Sequence, residues 1–234
     1  MNEPHSDVDL DKVWRGITTE VWARRVGLLE RWLGRALRSA GLARALLTTP
    51  SLVLSWVIAS AVVLGAGVFF TYQSDVPWVA LLAPALAGAG IAYAYGPGVD
   101  PAWELGKTMA VSDRMVLLVR TLAVFGVNAA LGMAAALFSD QALTVTFGWL
   151  VPMTTVSALA LATATGTRSA NVGVAAGLGG WLIVILAAGR GINDLGAAVS
   201  RMDLLPYYGT MTLALLGVAI YATRGGRREE SLWR

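Results

Sequence analysis

Six stretches of this chain run for about twenty residues with almost no charge, and that pattern limits the possible folds more than any other feature. The runs are Leu52 to Tyr72, Val76 to Tyr95, Met115 to Phe138, Leu143 to Ala164, Val172 to Ala188 and Tyr208 to Ala222. Inside hydrocarbon every backbone N–H and C=O must be paired within the protein, so runs of this length are expected to be transmembrane helices. Gly65, Gly67, Pro84 and Pro152 interrupt them. Such residues weaken helices in water but are tolerated in the membrane. The expected fold is therefore an all-α membrane protein of six spans. Composition agrees: 56% of residues are hydrophobic, 14% are charged and the mean hydropathy is +0.62, whereas soluble domains carry about a quarter charged residues.

Placement of the basic residues orients the spans. Sixteen of the 18 Lys and Arg residues fall on one side of the six-span arrangement, in the segment before span one, the loop after span two with the start of span three, the turn at Arg168 and the tail after Ala222. The opposite loops hold only Arg190 and Arg201, and their tight turns carry Asp75 and Asp140. Positive charge marks the cytoplasmic side, so both termini are expected in the cytoplasm. The net charge of +3 follows from this bias, and no nucleic-acid partner is implied. The excess of Arg over Lys, with abundant Ala and Gly, suggests a GC-rich bacterial genome, and so a multi-pass protein of the bacterial plasma membrane.

Three segments result: a cytoplasmic leader over 1–48, a transmembrane domain over 49–224 and a basic tail over 225–234. Within the leader, Asp9 to Leu47 reads as helical but too charged to span. Leu29, Trp32, Leu33, Ala36, Leu37 and Ala40 form one apolar stripe at helical spacing, and Arg31, Arg35 and Arg38 fall beside it. Trp14, Trp22 and Trp32 are suited to the headgroup zone, so this amphipathic helix is expected to lie in the inner interface against anionic membrane lipid. Packing on a partner protein is the competing reading. Gly27 and Gly34 count against one unbroken rod.

Enzymatic chemistry has little to work with. There is no Cys, and the single His5 sits in the polar leader, so a metal site built from those ligands is not expected, nor is any cofactor. The only charge set inside a span is Arg120, about a turn and a half into span three, from where it can reach the inner surface. Asn128, Thr154, Thr155 and Ser157 are the main deeper polar groups, and interhelical hydrogen bonding is their expected use. No phosphate-binding GxxxxGK[ST] loop exists. Neither catalysis nor proton-coupled transport is expected of this chain.

The loop between spans two and three is the most informative segment. After Gly96, Pro97, Gly98 and Val99 come Asp100 as a helix N-cap and Pro101 as a first helical residue, opening a short cytoplasmic helix that presents Trp103, Glu104 and Met109 outward. Ser112 and Asp113 then cap the following helix. The series Glu104-Leu105, Thr108, Val111-Ser112, Arg114 and an apolar run to Arg120 resembles the first intracellular loop of the type-two ABC transporter permeases, where a Glu-led coupling helix precedes a threonine–proline–valine–serine-like turn. Here Ala110 stands in place of the usual proline and Met109 is an extra residue. The six spans, the amphipathic connector helix before span one, and the long outer segment from Gly189 to Pro206, where the family folds re-entrant helices, resemble the same family.

That resemblance implies a permease subunit of an ATP-driven exporter, moving a hydrophobic or amphipathic substrate such as a drug, peptide or lipid-like molecule. It implies a separate soluble ATPase, a second permease (the same chain or a sister subunit), and ATPase coupling through Trp103, Glu104, Leu105, Lys107, Thr108 and Met109. The alternative is a non-transporting membrane scaffold or regulatory subunit. Gly173, Gly177 and Gly180 offer close helix packing, expected first within one subunit.

Overall fold

The computed structural model describes residues 9–22, 27–36, 38, 50–74, 76–94, 113–139, 148–188 and 195–230. Among these residues every regular element is helical. The chain forms two compact units, divided between Arg44 and Ala45.

The first unit holds α1 (Leu10–Trp22) and α2 (Leu28–Ala36). Asp9 starts α1 as its cap, accepting a hydrogen bond from the Lys12 backbone N–H at 3.1 Å. The helix read over Asp9 to Leu47 is therefore two helices within the described residues. Gly27 lies outside both, and its carbonyl accepts the first backbone bond of α2, from Arg31. A glycine, which has the most backbone freedom to lose, favours such a break. Gly34 is accommodated inside α2.

The second unit is a bundle of α3 (Pro50–Gln73), α4 (Trp78–Ala94), α5 (Asp113–Leu137), α6 (Leu150–Thr167), α7 (Ala170–Ala188) and α9 (Leu205–Glu230), with the four-residue α8 (Ala197–Ser200) and a 3-10 turn at Met202–Leu204 before the last. Five of these helices, all but α4 and α8, are long and apolar enough to cross a membrane. The protein is a multi-pass membrane protein. The apolar α4 has 17 residues, about 26 Å at 1.5 Å per residue.

Boundaries moved modestly from those expected. The fourth span, read from Leu143 to Ala164, corresponds to a helix that begins at Leu150 and continues to Thr167; residues 143–147 lie outside the described residues. The sixth, read from Tyr208 to Ala222, is longer at both ends and carries on through the start of the basic tail to Glu230. Arg168 closes α6 in the left-handed conformation at φ 56°, its N–H bonded to the Ala164 carbonyl. That makes the connection to α7 a tight turn.

Glycine contacts fix the register of the bundle. Gly67 meets Val79 and Leu82, while Gly90 meets Trp56, so α3 and α4 are antiparallel. Gly132 meets Ala83 and Gly90 meets Val124, so α5 reverses again. Gly88 against Val156, with Gly132 between Ala83 and Trp149, sets α6 parallel to α4. Gly173 against Ala164 and Gly177 against Ala160 turn α7 back along α6. Ala219 packs with Leu161 and Ala162, while Thr212 meets Thr155, so α9 runs parallel to α6. Successive long helices thus alternate in direction, and the start of α3 lies at the same end of the bundle as Thr223.

The central helices are α4 and α6, whose buried residues include Ala83, Ala87, Ile91, Met153, Val156 and Ala160. Around them α3, α5, α7 and α9 turn large apolar side chains outward, among them Ile58, Phe69, Leu122, Ile183, Leu213 and Ile220. A monomer in water rarely exposes contiguous apolar surface on this scale; in a bilayer these faces meet lipid. Small residues at the crossings suit this environment, where packing rather than hydrophobic expulsion holds helices together.

Candidate functional site

The residues picked out from the loop after span two, Trp103, Glu104, Leu105, Lys107, Thr108 and Met109, lie outside the described residues. Of the interfacial anchors, Trp14 on α1 and Trp32 on α2 are 66% and 67% exposed, and Trp22 is the last residue of α1. Leu28, Arg31, Trp32 and Arg35 share one face of α2 and line a shallow groove of about 400 Å³. Aromatic and guanidinium groups side by side are the combination that suits a headgroup zone.

Within the bundle, interhelical polar contacts include one small cluster of hydroxyls. It is a clasp between α6 and α9. The Thr155 hydroxyl lies 2.9 Å from that of Thr212 and donates to the Tyr208 carbonyl at 3.0 Å; Thr154 and Thr212 are 3.3 Å apart. Thr154 and Thr155 therefore do make the interhelical bonds expected of them. Hydroxyl pairs of this kind contribute about 0.6 kcal/mol on average in membrane bundles, and up to about 2. Thr155→Val is expected to destabilise the purified protein by that small amount, read as a shifted midpoint in denaturant unfolding, with Thr212→Val adding little once Thr155 is gone.

Asn128 and Ser157 behave differently. The Asn128 Nδ2 donates to the Val124 carbonyl of its own helix at 3.0 Å. Its Oδ1, together with Ser157 Oγ, Ser60 Oγ, Thr121 Oγ1 and Trp149 Nε1, is buried with no hydrogen-bond partner among the described residues. Ser60, Thr121 and Trp149 were not legible as polar sites in the sequence. A lone hydroxyl or indole in an apolar run gives no composition signal, although Ser60 does share a stripe with Trp56, Leu64 and Gly67 at helical spacing.

The end of the bundle opposite Thr223 is covered by α8. Ala197, Ala198 and Val199 are buried. The Tyr208 hydroxyl donates to the Ala198 carbonyl at 2.8 Å, Gly148 backs directly onto the Val199 carbonyl, and Gly196 lies on the Pro77 ring. The long segment expected to re-enter the outer leaflet thus packs its described part, from Leu195 onward, onto the helix ends. Arg201 and Asp203 pair at 2.7 Å on its exposed side, and the hydrogen bond from Arg201 holds the Asp203 carboxyl below its ordinary pKa. Tyr72 closes the neighbouring corner, its hydroxyl donating to the Phe138 carbonyl.

Two internal contacts hold α7. The Trp181 indole donates to the Leu81 carbonyl at 2.8 Å, next to the Ala80 carbonyl that Pro84 leaves without its helical donor. Gly173, Gly177 and Gly180 face Ala160, Ala164 and Leu159 of α6, and Gly173 also faces Ala92 of α4. The small-residue face is used inside the subunit.

No protein-family model, no curated protein and no solved structure matches this chain.

Proposed function

We propose that this chain is the permease subunit of an ATP-driven exporter of the type-two ABC kind, with α4 as a sixth span and both termini in the cytoplasm of a bacterium. The observation that carries the reading is a sequence pattern between spans two and three, Asp100-Pro101 followed by Trp103, Glu104-Leu105, Thr108, Val111-Ser112 and Arg114 just before and into α5. The pattern resembles that of a coupling helix. Two further observations support it. Successive helices alternate in direction, which gives α4 the course of a crossing helix, held on four sides by α3, α5, α6 and α7. Among the described residues the polar groups buried within the bundle are uncharged, so an energy source in a partner chain fits better than an ion-coupled one.

In this reading a soluble ATPase presses on Trp103, Glu104, Leu105, Lys107, Thr108 and Met109 as it closes on nucleotide. The motion passes into α5, and a second permease completes the cleft through which a hydrophobic or amphipathic cargo leaves. Purification in mild detergent is expected to bring down a soluble ATPase. Glu104→Lys is expected to leave membrane insertion intact while lowering transport-linked ATP hydrolysis by an order of magnitude or more, the cost of breaking a charged hydrogen bond at an interface. Unchanged hydrolysis and unchanged co-purification in Glu104→Lys would remove the coupling role.

A further inference from the structure

We infer that Ser60 and Asn128 form a binding site for one hydroxyl group, from water or from an amphipathic alcohol, in the middle of the bundle. The inference stands independently of the transport reading.

Register brings the two residues to one level. Ser60 lies one turn beyond Trp56 and two turns before Gly67 on α3. Trp56 meets α4 at Gly90, and Gly67 meets it at Val79 and Leu82. Running back along the antiparallel α4 from Gly90 by one turn places Ser60 opposite Leu86. On α5, Asn128 lies one turn beyond Val124, which meets Gly90, and one turn before Gly132, which meets Ala83. The same step places Asn128 opposite Ala87. Both residues therefore face α4 at the same depth, near the midpoints of their own helices, and α3 also touches α5. Ser60 and Asn128 are each 1% exposed, and Ala87 is fully buried.

The chemistry at that level is incomplete in a specific way. The Asn128 Nδ2 is committed to the Val124 carbonyl, which fixes the amide and leaves Oδ1 as an acceptor. Ser60 Oγ has a donor and an acceptor to offer, and neither Ser60 Oγ nor Asn128 Oδ1 has a partner among the described residues. Unpaired polar groups in a low-dielectric interior cost more than a hydrogen bond contributes. A single hydroxyl satisfies both, donating to Asn128 Oδ1 and accepting from Ser60. A charged guest is disfavoured, because among the described residues the buried polar side chains are uncharged and none could balance it. Trp149, whose ring lies on Gly132, closes the site one turn outward, and Trp56, whose ring lies on Gly90, closes it one turn inward.

The test is a double-mutant cycle on the full-length protein in lipid nanodiscs, using Ser60→Ala, Asn128→Leu and both together, read by denaturant unfolding. A shared hydroxyl couples the two positions, so each single variant is expected to lower the folding equilibrium constant and the double variant to fall short of their product by about threefold or more. An Asn128→Leu protein more stable than the native one, with Ser60→Ala merely additive, would overturn the site, since that is how an unused buried carbonyl behaves when replaced by an apolar group. Titration with 1-butanol separates the sources: stabilisation that Asn128→Leu abolishes assigns the site to alcohols, and coupling without an alcohol response assigns it to water. Should Asn128→Leu fail to fold, hydroxyl-radical labelling of the native protein decides. Leu64, one turn from Ser60 and 2% exposed, is then expected to be oxidised severalfold more than Leu161, which is 6% exposed and lies away from the site; equal yields contradict it.

Discussion

Trp149→Ala is expected to cost about 3–5 kcal/mol of stability, the range for removing a fully buried aromatic ring. Trp149 has no exposed surface. Its indole lies where α6 begins, against Gly132 of α5, within the core cluster that includes Ala83 of α4, Met153 and Val199. Truncation leaves a cavity that three helices already in contact through glycine and alanine cannot easily close. Trp149→Phe should cost much less, because it keeps most of the ring volume and the lost Nε1 has no hydrogen-bond partner among the described residues. Reversible denaturant unfolding in detergent measures both. Equal losses for Phe and Ala would mean that the indole N–H, not the ring, holds this corner.

Gly173 gives the second large effect. A Cβ added there would sit 2.7 Å from the Ala160 carbonyl oxygen, 2.7 Å from Ala164 Cβ and 3.0 Å from Ala92 Cβ. None of these is the end of a flexible side chain, so α7 has to move away from both α6 and α4. Gly173→Ala is expected to destabilise by about 1–3 kcal/mol, as overpacking does, and Gly173→Val by more. The control lies on the same helix: a Cβ at Gly179 meets nothing within 4 Å. Gly179→Ala should be neutral, or stabilising by up to about 1 kcal/mol through helix propensity. Similar effects at the two positions would argue that α7 is held by something other than this close approach.

The two glycines also show what the sequence could and could not convey. That residues 170–188 form a membrane helix is legible, because the run is long and uncharged. Which of its faces is covered is not. In a soluble amphipathic helix polar residues mark the outer face, but α7 is apolar beyond Asn171 in its first turn, and lipid accepts every side of that stretch. Only the small residues distinguish the faces, and Gly173 and Gly179 look alike until their neighbours are known. The same reasoning explains Trp149, which reads as one more apolar residue among those around it. In the leader, the apolar stripe from Leu29 to Ala40 overlaps the described helix Leu28–Ala36, and Gly27, which counts against one unbroken rod, lies outside both described helices. Thr155 and Thr212 pair across more than fifty residues of chain, a separation that local pattern cannot bridge. Sequence did carry the alternation of the spans, since tight turns such as the one at Arg168 leave the next helix no course but the reverse.

The central claim is that the long helices cross the membrane alternately, leaving the end of α9 on the cytoplasmic side and the loop before it outside. The chain has no native cysteine, so single cysteines can be labelled without background. With a membrane-impermeant maleimide on intact cells, Asp203→Cys is expected to react at once and Ser231→Cys only after the membrane is opened. Reaction of Ser231→Cys in intact cells, or reaction of both positions from the same side, would contradict the arrangement.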